Sequence, residues 1–325
     1  MPLLRLLILA SIFSLAAPAQ PAIRTQRLAD IFMRDACVLV DDATKTYYLV
    51  ASTRGGVRAY TSKDLLSWEG PHQIFRFGPE TWEGANVTGI WAPELHKYRD
   101  KYYLFLTYNT DTAFPEQWRN WRPRVKRASS ILVSDSPLGP FTPFGPKPTL
   151  PEDMMTLDGT LWVEDGVPYM IFCHEWVQVV NGTMLKVRLT DDLSATAGEP
   201  ERLFFANDAP WAQRNLPEGC WVTDGAWLHT SKSGKLFMPW SSFSPTGYTV
   251  GLAISDSGKL AGPWRQQAES IFAENGGHSM LFTTFEGQLM MALHSPNEGP
   301  DQRIHLFEME DTGETLRIVR RFPDR

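Results

Sequence analysis

The sequence predicts an all-β protein folded as a five-bladed β-propeller, and three observations predict it. Five hairpin-like segments follow one another: ACVLVDDATKTYYLVAS, APELHKYRDKYYLFLT, DGTLWVEDGVPYMIFC, DGAWLHTSKSGKLFMPWSS and HSMLFTTFEGQLMMALHS. Each is followed by a shorter related unit: AYTSKDLLSWEGP from Ala59, ILVSDSPLGPFTP from Ile131, VRLTDDLSATAGEP from Val187, LAISDSGKLAGPW from Leu252 and LFEMEDTGETLRI from Leu306. No stretch sustains a helical period.

Each hairpin has an apolar strand, a polar turn and a second strand rich in Tyr, Leu, Phe and Met. The turns carry DDATK in the first, RDK in the second, EDG in the third, SKSG in the fourth and FEG in the fifth. The shorter units add a strand and a Gly/Pro-rich turn. One repeat is therefore three or four antiparallel strands, recurring about every 50 to 70 residues. Radial repetition of such sheets makes a propeller, whereas a stacked sandwich would not repeat whole sheets. No linker or shift in composition divides residues 23–325, which read as one domain.

Residues 1–22 read as a secretory leader. Arg5 precedes the apolar run LLILASIFSLAA and the small-residue stretch APAQPA, with cleavage expected after Ala19. The run is short for a membrane anchor, and no later segment reaches about 18 apolar residues. A secreted or periplasmic protein is expected, monomeric, with no membrane association once the leader is gone. The net charge of −6 argues against a nucleic-acid partner. The three cysteines, Cys37, Cys173 and Cys220, make neither a disulfide framework nor a zinc motif and are expected to pack in the core.

The innermost strand of a blade lines the central axis. Aligned on their turns, the five inner strands open on Asp35, Glu94, Asp158, Asp224 and His278. A single Asp at a strand start is ordinary turn chemistry. Four carboxylates converging on one axis are harder to explain that way, because clustered like charge is costly. The stretch YMIFCHEW, from Tyr169 to Trp176, adds a fifth carboxylate. A turn at Asp165–Gly166 sets residue 158 roughly opposite 173, so Glu175 ends at the same mouth as Asp158. Crowding raises at least one of the carboxyl pKa values and leaves a protonated acid beside an ionised base. Glycoside hydrolysis needs such a pair. Trp91, Trp176 and Trp221, with His174 and Glu94, are the expected sugar-binding residues. The segment Asn109–Lys126, rich in Trp, Arg and Pro, should overhang the mouth.

RDACVLVDDATKTYYL, WAPELHKYRDKYYLF, LDGTLWVEDGVPYMIF and SDSPLGPF together resemble glycoside hydrolase family 43, five-bladed propellers that include arabinofuranosidases and xylosidases. The resemblance covers essentially the whole mature chain. It implies an inverting mechanism, with Asp35 as base, Asp158 as the orienting and pKa-tuning carboxylate, and a Glu as acid. This chain has RDA where the family usually has RDP. It has Asp224-Gly225-Ala226 where the family's acid stands in Glu-Gly-Pro. Asp224 is one methylene shorter than Glu, so Glu175 is placed ahead of it as the acid. His278 matches an axial His that helps bind a water-coordinated ion, often calcium; no cofactor is required on this reading. The implied activity is release of terminal sugars, foremost α-L-arabinofuranosides, from plant polysaccharide. A β-xylosidase, an exo-galactanase or a non-catalytic sugar-binding propeller are the alternatives.

Overall fold

The computed structural model describes residues 22–35, 37–214 and 219–323. The expected leader, apart from Ala22, lies outside them. Five antiparallel sheets follow in chain order. In blade one the strands run, from the axis outward, Cys37–Asp41, Thr46–Thr53, Gly56–Ser62, Ser67–Arg76 and the amino-terminal Arg24–Arg27. The other blades have four strands each. Their inner strands are Val87–Tyr98, Thr156–Glu164, His229–Thr230 and Gly277–Thr283. The five repeats of the sequence are thus the five sheets.

Local chemistry sets the hairpins. In blade three, Asp165 (φ 51°) and Gly166 (φ 80°) take left-handed conformations between Glu164 and Val167. Two left-handed residues in a two-residue loop match the twist of the flanking strands. Alternating apolar residues then pack sheet against sheet. Leu49, Val50, Trp68, Leu104, Leu106 and Tyr108 belong to one buried cluster, and Ile171, Met184, Trp211, Met238 and Trp240 to another. All three cysteines are buried and free, as expected.

One local feature repeats five times and builds the axis. Asp35 (φ 53°), Ala92 (φ 40°), Asp158 (φ 56°), Gly225 (φ 35°) and His278 (φ 51°) are all left-handed, one in each blade. In blades two, three and five a register shift surrounds this residue: Trp91/Glu94, Leu157/Thr160 and Gly277/Met280. An extra residue there bends the strand and re-aims a side chain. The exposed backbone N–H finds a fixed partner. Asp158 donates to Thr107 Oγ1 (3.1 Å), His278 to Ser241 Oγ (2.8 Å) and Asp35 to His294 Nδ1 (3.2 Å), each acceptor on the second strand of the preceding blade. Gly225 donates to Asp158 Oδ2 at 3.0 Å. Adding a Cβ at Gly225 would bring it within 2.6 Å of His278 Cγ, so this crossing requires glycine.

The bulges correct the expected alignment of the inner strands. The blade-two counterpart of Asp35 is Ala92, not Glu94, and the blade-four counterpart is Gly225, one residue after the expected Asp224. Glu94 lies two residues further along the strand, beyond the register shift. The expected pairing of 158 with 173 shifts for the same reason: Leu157 is the residue opposite Cys173. A bulge adds a residue without disturbing the apolar alternation beyond it, so the sequence carries little trace of it.

Candidate active site

The carboxylates of Asp35, Asp158 and Asp224 converge on His278. Its Nδ1 lies 3.5 Å from Asp35 Oδ1, 3.8 Å from Asp158 Oδ2 and 3.8 Å from Asp224 Oδ1. The three acids differ in what else holds them. Arg34 donates through Nε to both Asp35 oxygens, at 3.0 and 3.1 Å, and His294 Nδ1 stands 3.5 Å away. Burial works to raise the Asp35 pKa, but His278, Arg34 and His294 outweigh it and hold the carboxyl below its ordinary value.

Asp158 is shifted the other way. Burial and the adjacent Asp224 carboxyl, to which it is hydrogen-bonded, push it well above the ordinary carboxylate range. Two carboxyls can share a hydrogen bond only if one keeps its proton, so the pair titrates as a unit. Asp224 also accepts from Tyr248 Oη at 2.7 Å. Asp224 is the most accessible member, its side chain 24% exposed against 3% for Asp158 and 10% for Asp35. Around one imidazole the site therefore sets a carboxyl with a lowered pKa, Asp35, beside one with a raised pKa, Asp158.

Glu175 reaches the same end of the propeller but has a different partner. It is buried and caps the helical turn Trp176–Val179. Its Oε2 is in direct contact with Arg127 Nη1, in a buried ion pair. Burial pushes the Glu175 carboxyl upward, and the Arg127 guanidinium pulls against that shift. Arg127 is itself fixed by Asn109 Oδ1, at 2.9 and 2.7 Å, and lies 4.0 Å from the Trp91 ring centroid. Protonating Glu175 would leave a guanidinium buried without its counter-charge. Burial nevertheless outweighs the guanidinium, and the Glu175 carboxyl lies above its ordinary value while held in an ion pair.

The remaining expected residues divide. Trp91 is 38% exposed and forms an aromatic face under Arg127. Trp176 packs edge-on against Trp121, 5.6 Å away, in the segment expected to overhang the mouth. That segment docks onto blade three, with Trp121 Nε1 donating to Val177 O at 2.7 Å. His174 is half-buried and bonds Gln178 Oε1 at 2.8 Å, so it holds the helical turn instead of facing the mouth. Trp221 packs against the blade three–four core, and Glu94 pairs with His96 at 2.8 Å. Reading the inner strands alone missed Arg34, Arg127, Tyr248 and His294.

Asp158, Asp224 and His278 each offer one ligand atom, all within 4.8 Å of one another. The set is poor for directly held calcium, which takes about six to eight oxygens. It has one nitrogen and two carboxyls that share a proton.

Comparison with known proteins matches this geometry to a family. Residues 28–318 match the profile of glycosyl hydrolases family 43. The chain belongs to that family. This glycosyl hydrolase is similar to an endo-arabinase from Bacteroides thetaiotaomicron, 36% identical, with 87% of this chain and 96% of that one covered and a TM-score of 0.78. A thermostable family-43 glycoside hydrolase shares the fold at 18% identity and a TM-score of 0.71, with 95% and 97% of the two chains covered. Alpha-L-arabinofuranosidase B of Pyricularia oryzae is 25% identical over 235 residues, 67% of this chain. The chain spans 45% of that relative's length. The protein is a glycoside hydrolase, and its substrate is a carbohydrate.

Proposed function

We propose that this glycoside hydrolase removes α-L-arabinofuranosyl units from plant polysaccharide by an inverting acid–base mechanism. Asp35 is the base, Asp224 the acid, and Asp158 orients and tunes them. The observation that carries this reading is the convergence of Asp35, Asp158 and Asp224 on His278 Nδ1, at 3.5, 3.8 and 3.8 Å, with Arg34 held against Asp35 and Asp224 the most accessible of the three. Ionised Asp35 accepts a proton from a water as that water attacks the anomeric carbon. The Asp158–Asp224 pair delivers its proton through Asp224, the accessible member, to the departing glycosidic oxygen. Glu175, expected as the acid, is assigned the supporting role of neutralising Arg127. Arg127 with Trp91 then forms a charged, aromatic wall for the sugar.

The names of two relatives, an endo-arabinase and an alpha-L-arabinofuranosidase, support arabinose as the sugar. The docked segment beside Trp121 supports a mouth closed on one side, as an enzyme acting on chain ends requires. The endo-arabinase favours a second reading, cleavage within an arabinan chain. A panel of nitrophenyl glycosides and linear arabinan separates them. Terminal action gives arabinofuranoside hydrolysis and free arabinose from the first minutes; internal cleavage gives mixed oligomers. Hydrolysis of the xyloside alone would refute both. NMR of the first product should show the inverted anomer, and a retained anomer would refute the mechanism. Export fits a polymeric substrate, and amino-terminal sequencing of extracellular protein should begin at Gln20; a chain still starting at Met1 refutes cleavage.

A further inference from the structure

A second concavity lies apart from the carboxylate cluster. It is a cleft of about 990 Å³ that runs from the outermost strand of blade one to Thr88–Ile90, at the start of the inner strand of blade two. Three arginines line it: Arg24, Arg54 and Arg58. Asp30 is the one carboxylate among the described lining residues, and both its oxygens are taken by Arg27, at 2.8 and 2.9 Å. None of the three arginines has an ion pair among the described residues. Arg58 touches the Tyr60 hydroxyl, and its Nε is a buried donor without a hydrogen-bond partner. A buried unpaired donor is costly, and an incoming acceptor would relieve it.

The setting narrows the acceptor. The chain carries a net charge of −6, so three uncompensated guanidiniums in one cleft run against its overall sign. Guanidinium forks match planar carboxylates with two parallel bonds. Phe32, 59% exposed, lines the same cleft; the Arg303 guanidinium stands 5.9 Å over its ring, and the exposed remainder is apolar surface of the kind that meets sugars. The cleft adjoins the catalytic end on both sides along the chain. Phe32 lies three residues before Asp35, and Ile90 directly precedes Trp91.

We propose that this cleft binds a hexuronate-bearing stretch of the polysaccharide, its carboxylates held by Arg24, Arg54 and Arg58 and a sugar ring resting on Phe32. The proposal rests on the reading that the substrate is plant polysaccharide. It makes acidic chains the preferred carriers of the sugar that is cleaved. The neutral unit occupies the carboxylate site while the acidic stretch lies across blade one.

The test is calorimetry on the mature chain with an α-1,4-linked galacturonate trimer. The trimer should bind with a Kd below about 1 mM. Raising salt from 50 to 200 mM should weaken it, because exposed charges are screened. Arg24→Ala and Arg54→Ala sit at exposed positions and do not threaten folding; each should weaken the trimer about tenfold, the usual scale of a bond to a charged group. Arg58→Gln should do the same. All three variants should hydrolyse a nitrophenyl arabinofuranoside at the wild-type rate, so loss of that activity in the wild type would refute the sugar assignment without touching the cleft. The proposal is overturned if the trimer does not bind. It is overturned equally if the variants bind it unchanged, if a neutral galactose trimer binds as well, or if inorganic phosphate binds as tightly.

Discussion

Asp224 and Glu175 lie at one end of the same propeller, and both are carboxylates on loops next to a blade strand. Their partners separate them. Asp224 faces another carboxyl, Asp158, and a phenol, Tyr248. Glu175 faces a guanidinium, Arg127, which is locked by Asn109 and Trp91. In the first environment burial and the neighbouring Asp224 lift the Asp158 carboxyl well above its ordinary value; in the second burial also lifts Glu175, but a guanidinium bound directly to it pulls the other way. A Glu has the longer arm, but this one is tied to Arg127, whereas the shorter Asp224 stands against the Asp158 carboxyl and is the more accessible.

The largest effect sharpens the contrast from its other side. Asp35→Asn removes the ionised partner that both acid candidates would need, and kcat should fall by about 10²–10⁴ with folding intact. A variant that keeps more than about a tenth of wild-type turnover contradicts the assignment of the base.

Stability gives the next test. Glu175→Gln strands Arg127 and should cost about 3 kcal/mol, the low end for breaking a buried pair, because the Gln carbonyl still accepts one bond. Asp224→Asn relieves carboxyl crowding and should leave stability unchanged or raise it. The denaturant midpoint should therefore fall for Glu175→Gln and hold or rise for Asp224→Asn. Equal losses in both would erase the distinction drawn here.

The pH profile of kcat/KM should be a bell. Activity needs Asp35 ionised, so it rises as pH climbs through that residue's lowered pKa. It needs the Asp158 carboxyl protonated, so it falls as pH climbs through that residue's raised pKa. Asp158→Asn should shift the descending limb, whereas Glu175→Gln should leave both limbs where they are. Movement of the descending limb in Glu175→Gln would assign the titrating proton to the other carboxylate. Trp91→Ala is the mildest change. Loss of its exposed face should raise KM about tenfold and alter kcat much less; a loss confined to kcat would mean the ring positions the chemistry and not the sugar.

Much of this molecule was legible in its sequence because each blade carries its own turn and strand chemistry within about 60 residues. Asp35, Asp158, His278 and Asp224 could be brought to one mouth because inner-strand openings can be aligned, although Asp224 stands one residue before the left-handed Gly225. Glu94 was misplaced because a bulge between Trp91 and Glu94 slips the register by a step that apolar alternation does not record. The partners that set charge were hidden for a different reason. His294 meets Asp35 across 259 residues and Arg127 meets Glu175 across 48, each from a strand of another blade. The reasoning that brought Glu175 to the mouth, that second strands end where inner strands begin, would have drawn attention to Asn109 and His294 had it been applied to every blade.

The central claim is that Asp224, not Glu175, gives the proton to the leaving group. A poor leaving group needs that proton and an activated one departs without it. The direct measurement is therefore kcat/KM for Asp224→Asn and Glu175→Gln on an unactivated arabinoside and on a dinitrophenyl arabinofuranoside. The account predicts that Asp224→Asn loses about 10²–10⁴-fold on the first and far less on the second, while Glu175→Gln loses similar factors on both. A leaving-group contrast in Glu175→Gln, with a uniform loss in Asp224→Asn, would contradict it.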